Sequence, residues 1–324
     1  MIVAVDGGNS KTDLALVADD GALLALVRGP LSSPHHLGVE GALGVLESLL
    51  EQASRQARVE PPAQVAGLYL AGVDFPSEEQ AFRELVETRG WARKTLVGND
   101  THAALRSGTD AGWGVAVVCG AGINCAGVAP DGREARFPSL GDISGDWGGG
   151  LDVGAAAIWA AARSEDGRGP KTSLERSVPA HFGVETPYEL AQEIHAGRIP
   201  YRRAIELAPL VLRSADGDPV AAEIVHRLAE EVVTMARVAL ERLGLTGEPA
   251  EVVLGGGLFR SGNGHLLGAI EAGLRDVSPT ISAHPPAAPP IAGAALLALD
   301  ELGASPEALD RARRELQEAA RDHG

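Results

Sequence analysis

The chain carries one of its own patterns twice. Residues 2–21, IVAVDGGNSKTDLALVADDG, read as strand, glycine turn, strand and Asp-Gly turn, and residues 114–132, GVAVVCGAGINCAGVAPDG, read the same way. Laying Cys119-Gly120-Ala121-Gly122 over Asp6-Gly7-Gly8-Asn9 brings the downstream turns Asp20-Gly21 and Asp131-Gly132 into agreement within two residues. A hairpin-plus-strand unit that occurs twice predicts two related lobes built on the same sheet pattern. Taken singly, each glycine turn is an ordinary hairpin more readily than a ligand loop. Only the repetition raises the second reading.

Between and beyond the repeats the periodicity changes. AGLYLAG (66–72) is a near-continuous apolar run, as a strand covered on both faces requires. SEEQAFRELVETRG (77–90) reads as a helix capped by Ser77 with acids in its first turn, and KTLVGND (94–100) as a short strand running into the helix THAALRSG. The spacing predicts a helix from about Val39 to Arg58, and another over 218–244 whose Val220, Ile224, Leu228 and Val232 share one face. AEVVLGGGLFRS (250–261) is a strand entering three glycines, and APPIAGAALLALDELG (288–303) is a late helix followed by a charged, helical tail. The fold class expected is α/β, with an N-terminal lobe over 1–110 and a C-terminal lobe over 111–304 that holds a helical insertion. The helix of about 305–324 is expected on the first lobe.

Composition removes several classes of function. Asp+Glu number 44 against 28 Lys+Arg, a formal net charge of −16, which opposes the phosphate attraction behind nucleic-acid binding. Aromatic residues are only 4%, too few for a base-stacking platform. No apolar run is long enough to span a membrane, and MIVAVDGG lacks the basic start of a signal peptide, so a cytoplasmic protein is expected. The two cysteines, Cys119 and Cys125, cannot form a four-cysteine zinc site or a disulfide framework. A small-molecule ligand is the expectation that survives.

Four glycine-bearing turns stand at strand ends: 7–8, 120–122, 145–150 and 255–257. The chain has no GxxxxGK[ST] loop and no GxGxxG between a strand and a helix, so a nucleotide would be held in another way. Glycine lets backbone N–H groups approach phosphate oxygens, and Ser10, Lys11 and Thr12 add donors. Asp6 beside that turn suits Mg²⁺ held through water. Asp100, where a strand meets a helix, is either an N-cap or a general base, and the two roles are compatible. Asp146 in SGDWGGG is either a turn-forming acid or a ligand contact.

VDGGNSKTD, GNDTHAA, CGAGINC, LGDISGDWGGG with the later DGRGPKT, and VVLGGGL together resemble the sugar kinase–actin–heat-shock ATPase superfamily. Within it the chain is most similar to the N-acetylglucosamine kinase group, which belongs with the BadF/BadG/BcrA/BcrD-type ATPases. The resemblance runs from Val3 to about Leu299. It implies a two-lobed actin-like (ribonuclease H-like) fold of duplicated βββαβαβα units with a nucleotide cleft between the lobes. It implies ATP, with phosphates contacted by Gly7, Gly8, Asn9, Ser10 and Lys11 and by Gly120, Ala121 and Gly122, and adenosine by Gly255, Gly256 and Gly257. It makes Asp100 the general base and Asp6 the Mg²⁺-side acid, and assigns sugar contacts to Asn124, Gly145, Asp146, Ser33 and His35. Phosphate would pass to a sugar hydroxyl, the 6-OH by analogy, of N-acetylglucosamine or a related amino sugar or hexose; relatives of this kind are often homodimers.

Three departures are visible, one being Ser139-Leu140-Gly141 where the family has a Gly-Trp-Gly stretch before the acid. Ala121 stands where the family has a Thr near phosphate, and the sugar loop, commonly STNHW, is SSPHH, with Pro34 for the Asn and His36 for the Trp. The alternatives are an ATPase of the dehydratase-activator type and a non-catalytic nucleotide-dependent binding module. The first needs cysteines that hold an iron–sulfur cluster, and here both lie inside a phosphate-turn hairpin.

Overall fold

A computed structural model describes residues 1–322. The first half begins with β1 (Ile2–Gly7), β2 (Lys11–Val17), β3 (Leu23–Pro30), α1 (Pro34–Ala57), β4 (Ala63–Leu70), α2 (Pro76–Thr88), β5 (Ala92–Asn99) and α3 (Asp100–Gly108). The second repeat supplies β6 (Gly114–Cys119), β7 (Ile123–Val128) and β8 (Glu134–Arg136). A helical stretch comes next: α4 (Gly149–Asp166), α5 (Leu174–His181), α6 (Pro187–His195), α7 (Ala208–Ser214) and α8 (Pro219–Leu243). Then come β9 (Glu251–Gly255), α9 (Gly257–Arg260), α10 (Gly264–Val277), β10 (Ser282–His284), α11 (Pro290–Glu301) and α12 (Pro306–Asp322). Two five-stranded sheets result, in the orders β3-β2-β1-β4-β5 and β10-β9-β6-β7-β8.

The chain forms two compact units. One comprises Met1–Ala116, Ala126–Pro138 and the segment from Pro286 onward; the other comprises Val117–Cys125 and Ser139–Pro285. We call them unit 1 and unit 2.

In unit 1, β1 runs antiparallel to β2 and parallel to β4, and β4 runs parallel to β5. Both faces of this sheet are covered, which is why β1 and β4 read as nearly unbroken apolar runs. One face packs Val3, Val5, Leu14, Leu68 and Leu70 against Leu43, Leu46 and Leu49 of α1 and Phe82 and Val86 of α2. The other packs Ile2, Ala4, Ala15 and Val17 against Ile291, Ala294, Ala295 and Ala298 of α11 and Ala312 and Leu316 of α12. Gly293 lets α11 press on α3, since an added Cβ would lie 1.9 Å from the Ala103 carbonyl oxygen. The last helix is also pinned by polar contacts: Glu315 accepts the Leu23 N–H at 2.7 Å, and Arg311 pairs with Asp20 at 2.7 Å.

In unit 2, β9 and β10 pair in parallel. The three-residue β10 has no period that would announce a strand. The long helix α8 is capped by Asp218, which accepts from the amides of Val220 and Ala221, and it ends on Gly244 in the left-handed region.

Local corrections are few. Helix α1 starts at Pro34, five residues before the predicted Val39, because Pro suits a first helical position; the chain kinks at Gly38, whose φ is 68°. Helix α2 is capped at Phe75 instead of Ser77. Pro76 takes its first position, and the Glu78 carboxylate accepts from the amides of Asp74 and Phe75. Among the described residues no helix is long and apolar enough to cross a membrane.

Candidate active site

The parallel strands of unit 1 end together. Gly7 of β1 stands opposite Leu70 of β4, and Leu70 opposite Asn99 of β5. The carboxyl ends of parallel strands are where open α/β sheets bind ligands. The segments leaving these three strands therefore share one edge: the turn 8–10, the loop 71–75 and the start of α3.

The turn after β1 is tight. Gly8 N–H donates to Lys11 O at 2.9 Å, while Asn9 and Ser10 form an exposed tip. Gly7 has no room for a side chain, because a Cβ would fall 2.4 Å from Leu70 Cδ2 and 2.5 Å from Ser32 Oγ. Its carbonyl accepts the Ala71 N–H at 2.7 Å, and Thr12 Oγ1 donates to Ser32 Oγ at 2.8 Å. The glycine thus serves close approach and not an unusual φ. The Lys11 ammonium lies 2.6 Å from the buried Asp13 carboxylate, which Arg28 also pairs at 2.7 Å. Asp6 stands beside Asp13 on the neighbouring strand, partly exposed, and its charge helps raise the Arg28 pKa, the Asp13 hydrogen bond being the main cause.

Asp100 is the first residue of α3, and the cap is Asn99. The Asn99 backbone is extended, and its side-chain oxygen accepts from Thr101 N at 3.0 Å. Asp100 is half-buried, and burial pushes its carboxyl up to about 6; the charge of Asp74 adds to this, while His102 and the Thr101 amide oppose it. At this value the group is mostly ionised at neutral pH and still basic enough to accept a proton.

The same edge holds Ser33, His35 and Asp74. Ser33 is fully buried, and its hydroxyl has no hydrogen-bond partner. His35 is largely exposed, with Nε2 3.9 Å from Asp74. Burial also pushes Asp74 up to about 6, with Glu78 adding to the shift and His35 and Asn99 opposing it. Neither Asp74 nor Asn99 figures among the residues expected from sequence. The signal for Asp74 was available: it is an acid just past the end of a buried parallel strand, the same relation that singles out Asp100.

In unit 2 the turn after β6 is exposed at Gly120, Ala121 and Gly122. It is docked on the start of α4, where Gly150 N–H donates to Gly120 O at 2.8 Å and Leu151 N–H to Ala121 O at 3.0 Å. Gly149, at φ 80°, is required there, since a Cβ would fall 2.4 Å from the Gly122 carbonyl. Asn124 lies next on β7 and accepts from Cys125 N at 2.7 Å and from the Ser139 hydroxyl. Asp146 is half-buried and accepts from the Ser144 hydroxyl, beside the exposed Gly145. Gly255 ends β9; Gly256, at φ 98°, packs on the Cys119 carbonyl, and Gly257 starts α9 in the open. Unit 1 therefore carries Asp6, the turn 7–11, Ser33, His35 and Asp100. Unit 2 carries 120–122, Asn124, Gly145, Asp146 and 255–257.

Residues 3–298 match the BadF/BadG/BcrA/BcrD ATPase family. The chain belongs to that family. ATP use follows from membership of this ATPase family. The chain is 26% identical to the N-acetylmuramic acid/N-acetylglucosamine kinase of Clostridium acetobutylicum, over 81% of this chain and 86% of that protein. It is also 26% identical to the N-acetyl-D-glucosamine kinase of Dictyostelium discoideum, over 93% and 98% of the two chains. A Chromobacterium violaceum structure, provisionally named an N-acetylglucosamine kinase, superposes with a TM-score of 0.72 at 27% identity, covering 91% of this chain and 98% of that one. The ROK hexokinase of Thermus thermophilus, at 18% identity and a TM-score of 0.53, shares the fold. The expected actin-like α/β class is the one found.

Proposed function

We propose that this protein is an ATP-dependent kinase of N-acetylglucosamine or a closely related amino sugar or hexose, acting on the 6-hydroxyl. The observation that carries the reading is the row Gly7–Leu70–Asn99, from which the glycine turn and Asp100 leave one sheet edge. The names of the relatives supply the substrate class.

Asp100 is the general base: it accepts the proton of the attacking hydroxyl as that oxygen approaches the γ-phosphorus. The backbone donors of 7–11 and 120–122 carry phosphate charge, and the strand end 255–257 takes the adenosine. Asn124, Gly145, Asp146, Ser33 and His35 bind the sugar, with the unpartnered Ser33 hydroxyl supplying a contact that Pro34 cannot. Asp6 offers a partly exposed carboxylate, an oxygen donor that fits hydrated Mg²⁺. When bound, that ion would offset phosphate charge. The two thiols are 0% and 1% exposed, which disfavours the cluster-holding alternative. A cytoplasmic homodimer completes the reading; light scattering should give twice the 33.4 kDa chain mass.

The test is ADP release from ATP with a panel of hexoses and amino sugars, with the product identified by phosphorus NMR. Release that depends on N-acetylglucosamine or a relative is expected. Turnover indifferent to sugar would point to an uncoupled ATPase, and no turnover to a binding module.

A further inference from the structure

The Asn99 carboxamide is fully committed. Its nitrogen donates to Asp74 Oδ1 at 2.8 Å and to Val73 O at 3.2 Å, and its oxygen accepts from Thr101 N at 3.0 Å and Thr101 Oγ1 at 2.7 Å. Turning the amide over would set its oxygen against a carboxylate and a carbonyl, and its NH₂ against the Thr101 N–H. One orientation alone is satisfied. Asn99 is therefore a rigid link between the loop after β4 and the first turn of α3, which begins with Asp100.

The acid at the far end of this link is costly for a merely structural part. The Asp74 side chain is 7% exposed, and the His35 imidazole Nε2 lies 3.9 Å from its carboxylate. Glu78 faces it from α2 with the same charge sign, its own carboxylate holding the amides of Asp74 and Phe75. An asparagine could accept from Asn99 equally well without a buried charge. What the carboxylate adds is a negative charge that helps hold the Asp100 pKa up, against the opposing influence of His102 on α3. We propose that Asp74 is a positioning residue for Asp100: through Asn99 it fixes the turn that presents Asp100, and it sets the charge environment of that carboxylate. This rests on the reading of Asp100 as the base.

The experiment compares full-length wild type with Asp74→Asn and Asp74→Ala. The Asp100 carboxyl is followed by carbon NMR of aspartate-labelled protein, its signal assigned by loss in Asp100→Asn. The pH profile of sugar-dependent ADP release is measured in parallel. Asp74→Asn keeps the acceptor for Asn99 and removes the charge, so the Asp100 titration should move about one pH unit lower. The acid limb of kcat/KM should follow it, with sugar KM within about twofold. Asp74→Ala frees Asn99, and kcat should fall about tenfold or more while the sugar KM changes little. An unmoved Asp100 titration in Asp74→Asn overturns the proposal. A titration that moves while the acid limb stays supports it and overturns the assignment of Asp100 as base instead. If Asp74→Ala does not fold, Asp74→Asn alone decides.

Discussion

Asp13 and Arg28 face each other across β2 and β3, with Arg28 Nε 2.7 Å from Asp13 Oδ1. The Asp13 side chain is 5% exposed, whereas the Arg28 and Lys11 side chains are 28% and 44% exposed. Removing the acid leaves two cations that water can partly reach, so the cost lies below that of a fully buried pair. Asp13→Ala should destabilise the protein by about 2 kcal/mol, read from the midpoint and slope of urea unfolding. An unchanged midpoint would mean that the pair contributes nothing.

Asp100 predicts opposite effects on stability and on activity. Its folded pKa of about 6 lies above the ordinary aspartate value, so the folded state prefers the neutral form. The carboxylate therefore costs stability progressively as pH rises from about 4 through 6, and the full cost persists above. Asp100→Asn mimics the neutral form. It should be more stable than wild type at pH 8, with the difference vanishing towards pH 4, while sugar phosphorylation is lost and nucleotide binding stays. Thermal unfolding at the two pH values, beside a single-turnover assay, checks both halves.

Two glycines should answer alanine with opposite signs. Gly293 sits where a Cβ would overlap the Ala103 carbonyl at 1.9 Å, so Gly293→Ala should cost about 3 kcal/mol or prevent folding. Gly268 lies exposed within α10 with nothing within 4 Å of an added Cβ. Gly268→Ala should stabilise by about 0.5–1 kcal/mol through the helix preference alone. Denaturation of the two variants side by side is the measurement.

Both thiols are sealed. Cys119 and Cys125 are buried, and burial pushes each pKa far up. Native protein should resist a thiol-exchange reagent for hours, and two equivalents should react at once in denaturant. Prompt labelling of the native state would contradict the burial.

Asn124 accepts from both Cys125 N and Ser139, whose own backbone is held at φ 54°. Asn124→Ala removes one sugar contact of the proposed site and should raise the sugar KM about tenfold, with a much smaller effect on the KM for ATP. Equal changes in both constants would argue against a sugar contact.

Much of this molecule was readable beforehand for a plain reason. Alternating or continuous apolar runs bounded by Gly and Asp-Gly turns mark β1 to β3 and β6 to β8, and the long helix α8 keeps its 3.6-residue apolar face. What escaped depended on choices between near-equivalent neighbours. In GND, Asn99 and Asp100 are both cap formers one residue apart, and only the Asn99 contacts with Val73 and Asp74 decide which one caps. Lys11 stands two residues before Asp13, so both lie on one strand face and the Asp13 carboxylate pairs with its ammonium, a contact the turn alone does not announce. Ser77 gave way to Phe75 because Pro76 takes the first helical position and Glu78 folds back. Asp74 carries the strand-end signal that Asp100 carries, but its link to Asn99, 25 residues away, is visible only in the fold.

Unit 1 starts with the first strand and is closed by the last helix described, while Ser139–Pro285 belong to unit 2. A ribosome thus releases Ile2, Ala4, Ala15 and Val17 long before it makes α11 and α12, which cover them. During that interval one face of the first sheet is a bare apolar surface, the kind of exposure that invites aggregation or chaperone capture. Unit 2 has all of its residues in hand before unit 1 can finish. In translation, the part that begins first is the part completed last.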